Sequence, residues 1–235
     1  MRSPRLLRRR ELWVPTLAGW ALLALLALLA GILGFGLLRG IHGHLAQNAP
    51  TGRGLLVVEG WLPAESVAEA VELYRRGPYR RFVAAGGPIE EDACPPCFAS
   101  YAERTASLAR GFGLPEQELA IVPAPASAQE RTFRSAVSVR QWAEASGTAV
   151  DSFDVYSSGP HARRSRWLYQ LAFGDAVAVG VIASAPRSYD SAAWWRSSDG
   201  ARAVLSELAA WLWARSFFDP GTPGSYAEEW GPRPE

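Results

Sequence analysis

From residue 12 to residue 38 the chain carries no charged side chain, and from 21 onward the run is almost pure Leu, Ala and Gly. Nothing else in the sequence narrows the possibilities as much. About 20 apolar residues suffice to cross the hydrocarbon core of a bilayer, so this run spans one with tilt to spare. Trp13 and Trp20 fall where an interfacial aromatic belt is expected, and Pro15 falls in the first turn, where a missing N–H is harmless. On the N-terminal side stand Arg2, Arg5, Arg8, Arg9 and Arg10 against one acid, Glu11. Positive flanks stay in the cytoplasm, so residues 1–11 read as a cytoplasmic tail, 12–38 as a single transmembrane helix, and the remainder as exported. For a bacterial-type inner membrane the exported side is the periplasm.

A cleaved signal peptide is the rival. Its apolar core measures roughly 7–15 residues and ends at a small-x-small site. This run is longer, no such site follows before Pro50, and the twin-arginine motif around Arg9-Arg10 is incomplete.

There is no lysine in the chain. Any anion must therefore be held by Arg, His, hydroxyls or backbone N–H groups, which favours flat, bidentate clamping. Beyond Glu11 the chain holds 19 arginines against 22 acids, about −3, with no basic block. Nucleic-acid affinity is mostly phosphate neutralisation, so no nucleic-acid partner is expected.

Residues 39–53 show no periodicity and read as a linker; the His42 and His44 pair lacks a third metal ligand. Apolar runs at 55–58, 81–85, 120–122, 153–156 and 176–183 then alternate with helical patterns at 63–76, 101–112, 127–146, 162–173 and 201–217. Gly77, Gly113, Gly147 and Gly174 stop the first four helices, and Ser127 with Glu130 reads as a capping box opening the third. Strand–helix alternation five times over residues 54–218 predicts an α/β domain with a doubly wound, mainly parallel sheet. The Pro/Gly-rich stretch 219–235 reads as a flexible tail.

In such sheets ligands sit beyond the carboxyl ends of the strands, which makes the strand-exit loops the places to search. The fourth is the most informative: Ser157-Ser158-Gly159-Pro160 leads to His161, Arg163 and Arg164 at a helix start. Arginine there opposes the helix dipole, which points to an anionic partner. The second exit loop holds Gly86 and Gly87, a turn that admits close backbone approach. The third leads to Thr132 and Ser135, one turn apart, hydroxyls that also commonly bond their own backbone. Glu59 ends the first strand, and Glu103 opens the second helix, where an acid also complements the dipole.

Cys94-Pro95-Pro96-Cys97 lies in a Pro-rich loop away from a helix start. In an oxidising compartment the pair reads as a structural disulfide rather than a redox centre, and two cysteines cannot close a zinc site. No metal-ligand cluster is visible, so no metal or other cofactor is expected.

Taken in order, the strand and turn at 55–60, Gly86-Gly87, Glu103, Thr132 and the His161-x-x-Arg164 motif resemble the YdcF-like family of envelope proteins, the SanA and ElyC type. The likeness spans roughly residues 54–213. This chain departs from the family pattern with Ser135 in place of Asn, Ala162 in place of Met, Ser165 in place of Ala, and Glu59-Gly60-Trp61 in place of a glycine-rich turn. The resemblance implies a Rossmann-like, often membrane-anchored domain tied to envelope or peptidoglycan-precursor biogenesis.

Two functions follow as expectations. The first is an enzyme acting on a phosphorylated envelope precursor, such as a lipid-linked sugar. Arg163 and Arg164 would clamp the phosphate, with Gly86, Gly87, Thr132 and Ser135 completing the site. His161 would be general acid or base, and Glu59 or Glu103 would orient it. The alternative is a non-catalytic envelope-assembly or sensing factor using the same anion pocket. A thiol–disulfide enzyme would rest on the cysteine pair alone. Protein partners and strand order are not legible.

Overall fold

The computed structural model describes residues 13–89, 98–127 and 130–225. Leu and Ala without an interior proline favour uninterrupted helix, and the apolar run forms α1 (Leu17–Leu45). It is long and apolar enough to cross a membrane, and none of its residues before Ile41 is buried. The chain divides into two compact units at this point, one ending at Gly40 and one beginning at Ile41.

The second unit alternates as the sequence predicts: β1 (Gly54–Glu59), α2 (Ala64–Arg76), β2 (Tyr79–Gly86), α3 (Tyr101–Gly111), β3 (Leu119–Pro123), α4 (Arg131–Ala145), β4 (Ser152–Ser158), α5 (Ala162–Phe173), β5 (Ala178–Ser184) and α6 (Ser198–Phe217). All five strands are parallel, in the order β3-β2-β1-β4-β5, a Rossmann-like sheet. Side chains alternate across a strand, so β1 feeds both layers of core. Leu56 and Val58 pack with Val67, Val71 and Tyr74 of α2 and Ala106 of α3. Leu55 and Val57 pack on the other face with Phe133 and Val137 of α4 and Leu168 and Tyr169 of α5.

This order places the site. The chain steps from β1 outward to β2 and β3, then crosses back through α4 to β4 on the other side of β1. The crevice beyond the carboxyl ends of β1 and β4 is the topological switch point, where open α/β sheets bind their ligands.

Three expectations need correction. Residues 39–53, read as a linker without structure of their own, are tied to the sheet at their C-terminal end. Ala49 pairs antiparallel with Val181, and the backbone N–H groups of Thr51 and Gly52 donate to the two oxygens of Asp154 at 2.6 and 2.9 Å. These contacts run through backbone groups, so they leave no side-chain periodicity to read. The capping box fails too: α4 begins at Arg131, and Glu130 is its N-cap in the left-handed region (φ 35°, ψ 57°) without a side-chain cap bond. Its carboxylate goes to Arg164 instead. The stretch 219–235 starts packed rather than loose, with Pro220 buried. A 3₁₀ segment at Ser191–Arg196 lies between β5 and α6 where no element is expected. Cys94 and Cys97 lie outside the described residues.

Candidate active site

β1 ends on Glu59, whose side chain is 4% exposed. A buried carboxylate must be hydrogen-bonded, and here the donors come from the neighbouring layer. Ser157 at the end of β4 donates to Oε2 at 2.5 Å, and Ser165 on α5 donates to Oε1 at 2.8 Å. The His161 Nε2 stands 3.7 Å from the same Oε1. His161 itself is buried, at the end of the short 3₁₀ turn Gly159–His161 that leads from β4 into α5.

The His161 ring is held on every side. Nδ1 lies 3.0 Å from Oε1 of Glu207, on α6, and Nε2 lies 3.3 Å from Oγ1 of Thr132, in the first turn of α4. The edge of Trp61 meets the imidazole at right angles, centroids 5.1 Å apart. Burial by itself would raise the Glu207 carboxyl. The hydrogen bonds and charges of His161 and Arg164 outweigh it and hold the group down at about 2. Two neighbours compete for Nδ1. The ionised Glu207 favours a proton on it, whereas the Arg164 Nη2–H, 3.1 Å away, can only donate to a lone pair there. With the proton on Nδ1 the Nε2 lone pair is directed toward Thr132.

Arg164 shares Glu207 through two contacts, Nε to Oε2 at 3.0 Å and Nη2 to Oε1 at 3.3 Å, and its Nη1 reaches Glu130 at 3.3 Å. Burial lowers the guanidinium pKa, but Glu207 first and then Glu130 and Glu59 raise it on balance, so the charge is secure. The left-handed backbone of Glu130 is costly for a residue with a Cβ, and such strain gathers at functional sites.

These groups border a cavity of about 470 Å³ lined also by Gly86, Gly87, Tyr101, Arg131 and Ser135. Two glycines shape it from the opposite side. A Cβ on Gly60 would stand 2.6 Å from the Tyr101 backbone, and one on Gly86 would stand 2.8 Å from the Tyr101 Cβ, so only glycine lets α3 start this close to the strand ends.

The structure thus brings Glu59, Gly86, Gly87, Thr132, Ser135, His161 and Arg164 to one cavity. Ser135 Oγ donates to the Arg131 carbonyl and so is engaged in its own helix. Two candidates lie elsewhere. Arg163 donates to the His44 carbonyl at 2.6 Å and covers the Trp211 ring, away from the cavity. Glu103 accepts the Ala99 N–H at 2.9 Å while Ser100 Oγ accepts the Glu103 N–H at 3.2 Å, a reciprocal cap on α3.

Glu207 is the group that sequence reasoning misses. One signal pointed to it: it is the lone acid between Asp199 and Asp219, set in a helix of Ala, Leu and Trp. Among the described residues no group of three or more His, Cys, Asp or Glu side chains is placed to hold a metal ion. No family model matches the chain, and neither a curated protein nor a solved structure matches it.

Proposed function

We propose that this chain is a membrane-anchored enzyme of the bacterial cell envelope that hydrolyses or transfers a phosphorylated precursor, such as a lipid-linked sugar, with His161 as its general base and acid. One observation carries the reading: the line from Glu207 through His161 to Thr132 at the edge of the switch-point cavity. A carboxylate holding Nδ1–H keeps Nε2 basic and stabilises the imidazolium once it forms, the logic of carboxylate–His–hydroxyl catalysis. Nε2 takes the proton of the Thr132 hydroxyl, or of a water lodged beside it, as that oxygen attacks the phosphorus. The P–O bond to the leaving group breaks and the proton passes to that oxygen; where Thr132 attacked, the same base then activates the water or acceptor hydroxyl that takes the phosphoryl group from Thr132. Glu59, 3.7 Å from Nε2, adds a second negative charge facing the imidazolium. Arg131 and Thr132, in the first turn of α4, border the same cavity, and a helix start is where a phosphoryl group finds backbone N–H donors.

The motif order shared with the YdcF-like envelope proteins supports the assignment to the envelope. The apolar helix supports the anchor, and the arginine cluster before it supports an N-terminus in the cytoplasm with the α/β unit in the periplasm. Protease added outside intact spheroplasts is then expected to digest the α/β unit and spare an N-terminal tag.

The alternative, a non-catalytic sensing or assembly factor using the same pocket, draws on a different observation. Arg164 already serves two carboxylates, so an arriving phosphate would have to displace Glu207 or Glu130, an exchange suited to a switch. One experiment separates the two. The full chain in lipid nanodiscs is incubated with polyprenyl-phosphate sugars, and released phosphate or sugar is measured. His161→Gln is expected to lower turnover by about 10²–10⁴-fold while binding stays within several-fold. Undiminished release by the variant would sink the catalytic reading, and saturable binding without release by the wild type would favour the sensor.

A further inference from the structure

A cavity of about 350 Å³ shares no residue with the one around His161. Its walls include Arg163 and Arg166 of α5, Arg215 of α6 and the rings of Trp167 and Trp211. Residues three or four apart share one side of a helix, which gathers Arg163, Arg166 and Trp167 on α5 and Trp211 with Arg215 on α6. The two helices then pair crosswise. Arg163 lies 5.5 Å over Trp211, and one turn further along both helices Arg215 lies 4.7 Å over Trp167. The Nε–H groups of Arg163 and Arg166 donate to the carbonyls of His44 and Val179 at 2.6 and 2.9 Å. Each guanidinium is thus aimed by a neutral group, which fixes its plane and leaves its charge uncompensated.

Arginines elsewhere in the domain are matched with acids: Arg75 and Arg76 with Glu72, Arg110 with Glu116, Arg187 with Glu69. The segments that meet at this cavity offer none. There is no acid from residue 40 to 53 or from 162 to 173, and beyond Asp199 the only one on α6 is Glu207. Glu207 is already engaged with His161 and Arg164. Burial first, and then the charge of Arg166, lower the Arg163 guanidinium pKa, as expected where cations gather without a counter-charge. A single carboxylate would satisfy one planar fork. Three forks around one space suit an ion with several oxygens and more than one negative charge, which is the chemistry of phosphate.

We propose that this cavity is a second anion site, separate from the one at His161, in which Arg163, Arg166 and Arg215 clamp a phosphate group supplied either by soluble phosphate or by an anionic lipid headgroup. None of its residues takes part in the proton transfer assigned to His161, so the site stands or falls independently of that chemistry.

Fluorine NMR of the full chain tests it. The protein is labelled with 5-fluorotryptophan and held in phosphatidylcholine nanodiscs in phosphate-free buffer. Trp167→Phe, Trp211→Phe and Trp61→Phe assign three resonances. Inorganic phosphate, titrated at constant ionic strength, is expected to move the Trp167 and Trp211 signals saturably, while Trp61 reports separately on the His161 cavity. Arg163→Gln combined with Arg166→Gln is expected to weaken the response at Trp167 and Trp211 by about ten- to a hundredfold. Arg215→Gln, at an exposed position, is expected to weaken it as well and covers the case in which the double variant fails to fold. Discs containing phosphatidylglycerol identify the source. Signals already displaced there, and insensitive to added phosphate, assign the site to a headgroup; signals that still respond to phosphate alone assign it to the soluble ion. If neither phosphate nor phosphatidylglycerol moves Trp167 and Trp211, or if the arginine variants respond as the wild type does, there is no such site. A shift at Trp61 alone would place phosphate binding in the His161 cavity only and would equally overturn the proposal.

Discussion

The sheet buries an acid at each end, and the two are used in opposite ways. At the strand-entry end Asp154 is fully buried on β4 and accepts from the Thr51 N–H, the Gly52 N–H and the Tyr79 hydroxyl at 2.7 Å. Two of these donors are backbone groups, and burial and the carboxylate together raise the Tyr79 pKa, so its proton stays in place. The acid is a clasp closing the chain leading into β1 onto the sheet. At the strand-exit end Glu59 and Glu207 accept from side chains instead: two serines, His161 and Arg164, with a cavity alongside. Burying a carboxylate does not make a site. A site needs partners that can give up and retake a proton, and space for a ligand beside them.

The comparison breaks most visibly in Asp154→Ala. Three half-buried donors lose their acceptor, which is expected to cost about 2–4 kcal/mol and to lower the unfolding temperature by on the order of 10 °C. Thermal unfolding in detergent measures it. A loss below about 1 kcal/mol would mean that the clasp is held by something other than the acid.

Glu207→Gln tests the other end and is expected to do two things. Turnover drops by about 10²–10³-fold, because the Nδ1 proton loses its charged acceptor. The stability of the variant also responds differently to acid. The Glu207 carboxyl sits at about 2 in the folded protein, below its ordinary value near 4.3. Its contribution, on the order of 2–3 kcal/mol, is therefore present above about pH 5 and fades as pH falls toward 2. The wild type is expected to be the more stable protein at neutrality, with the gap closing across that window. A constant gap from pH 7 to pH 2 would remove Glu207 from the proton balance of the fold.

The smallest effect is expected at Glu103, where the sequence hinted at chemistry and the structure shows a helix cap. Glu103→Gln keeps an oxygen for the Ala99 N–H, so about 0.5 kcal/mol of stability is lost and turnover is unchanged. A hundredfold fall in turnover would return Glu103 to the site.

Much of this was legible because it is local. The apolar helix follows from residues 12–38 alone, and the strand–helix alternation from periodicity in short windows. The strand-exit rule then gathered Glu59, Gly86, Gly87, Thr132 and His161 without any knowledge of strand order, since a parallel sheet puts all its carboxyl ends on one rim. Tertiary structure decided what depends on direction and on partners far along the chain. Arg163 and Arg164 are adjacent in sequence, but consecutive helical residues point about 100° apart, so one faces His44 and the other the cavity. Glu207 meets His161 only because α6 packs beside the end of β4, and Asp154 meets Thr51 only because the linker folds back over the strand entry. Periodicity records which face of an element is buried, but which side chain that face meets is settled when the elements dock.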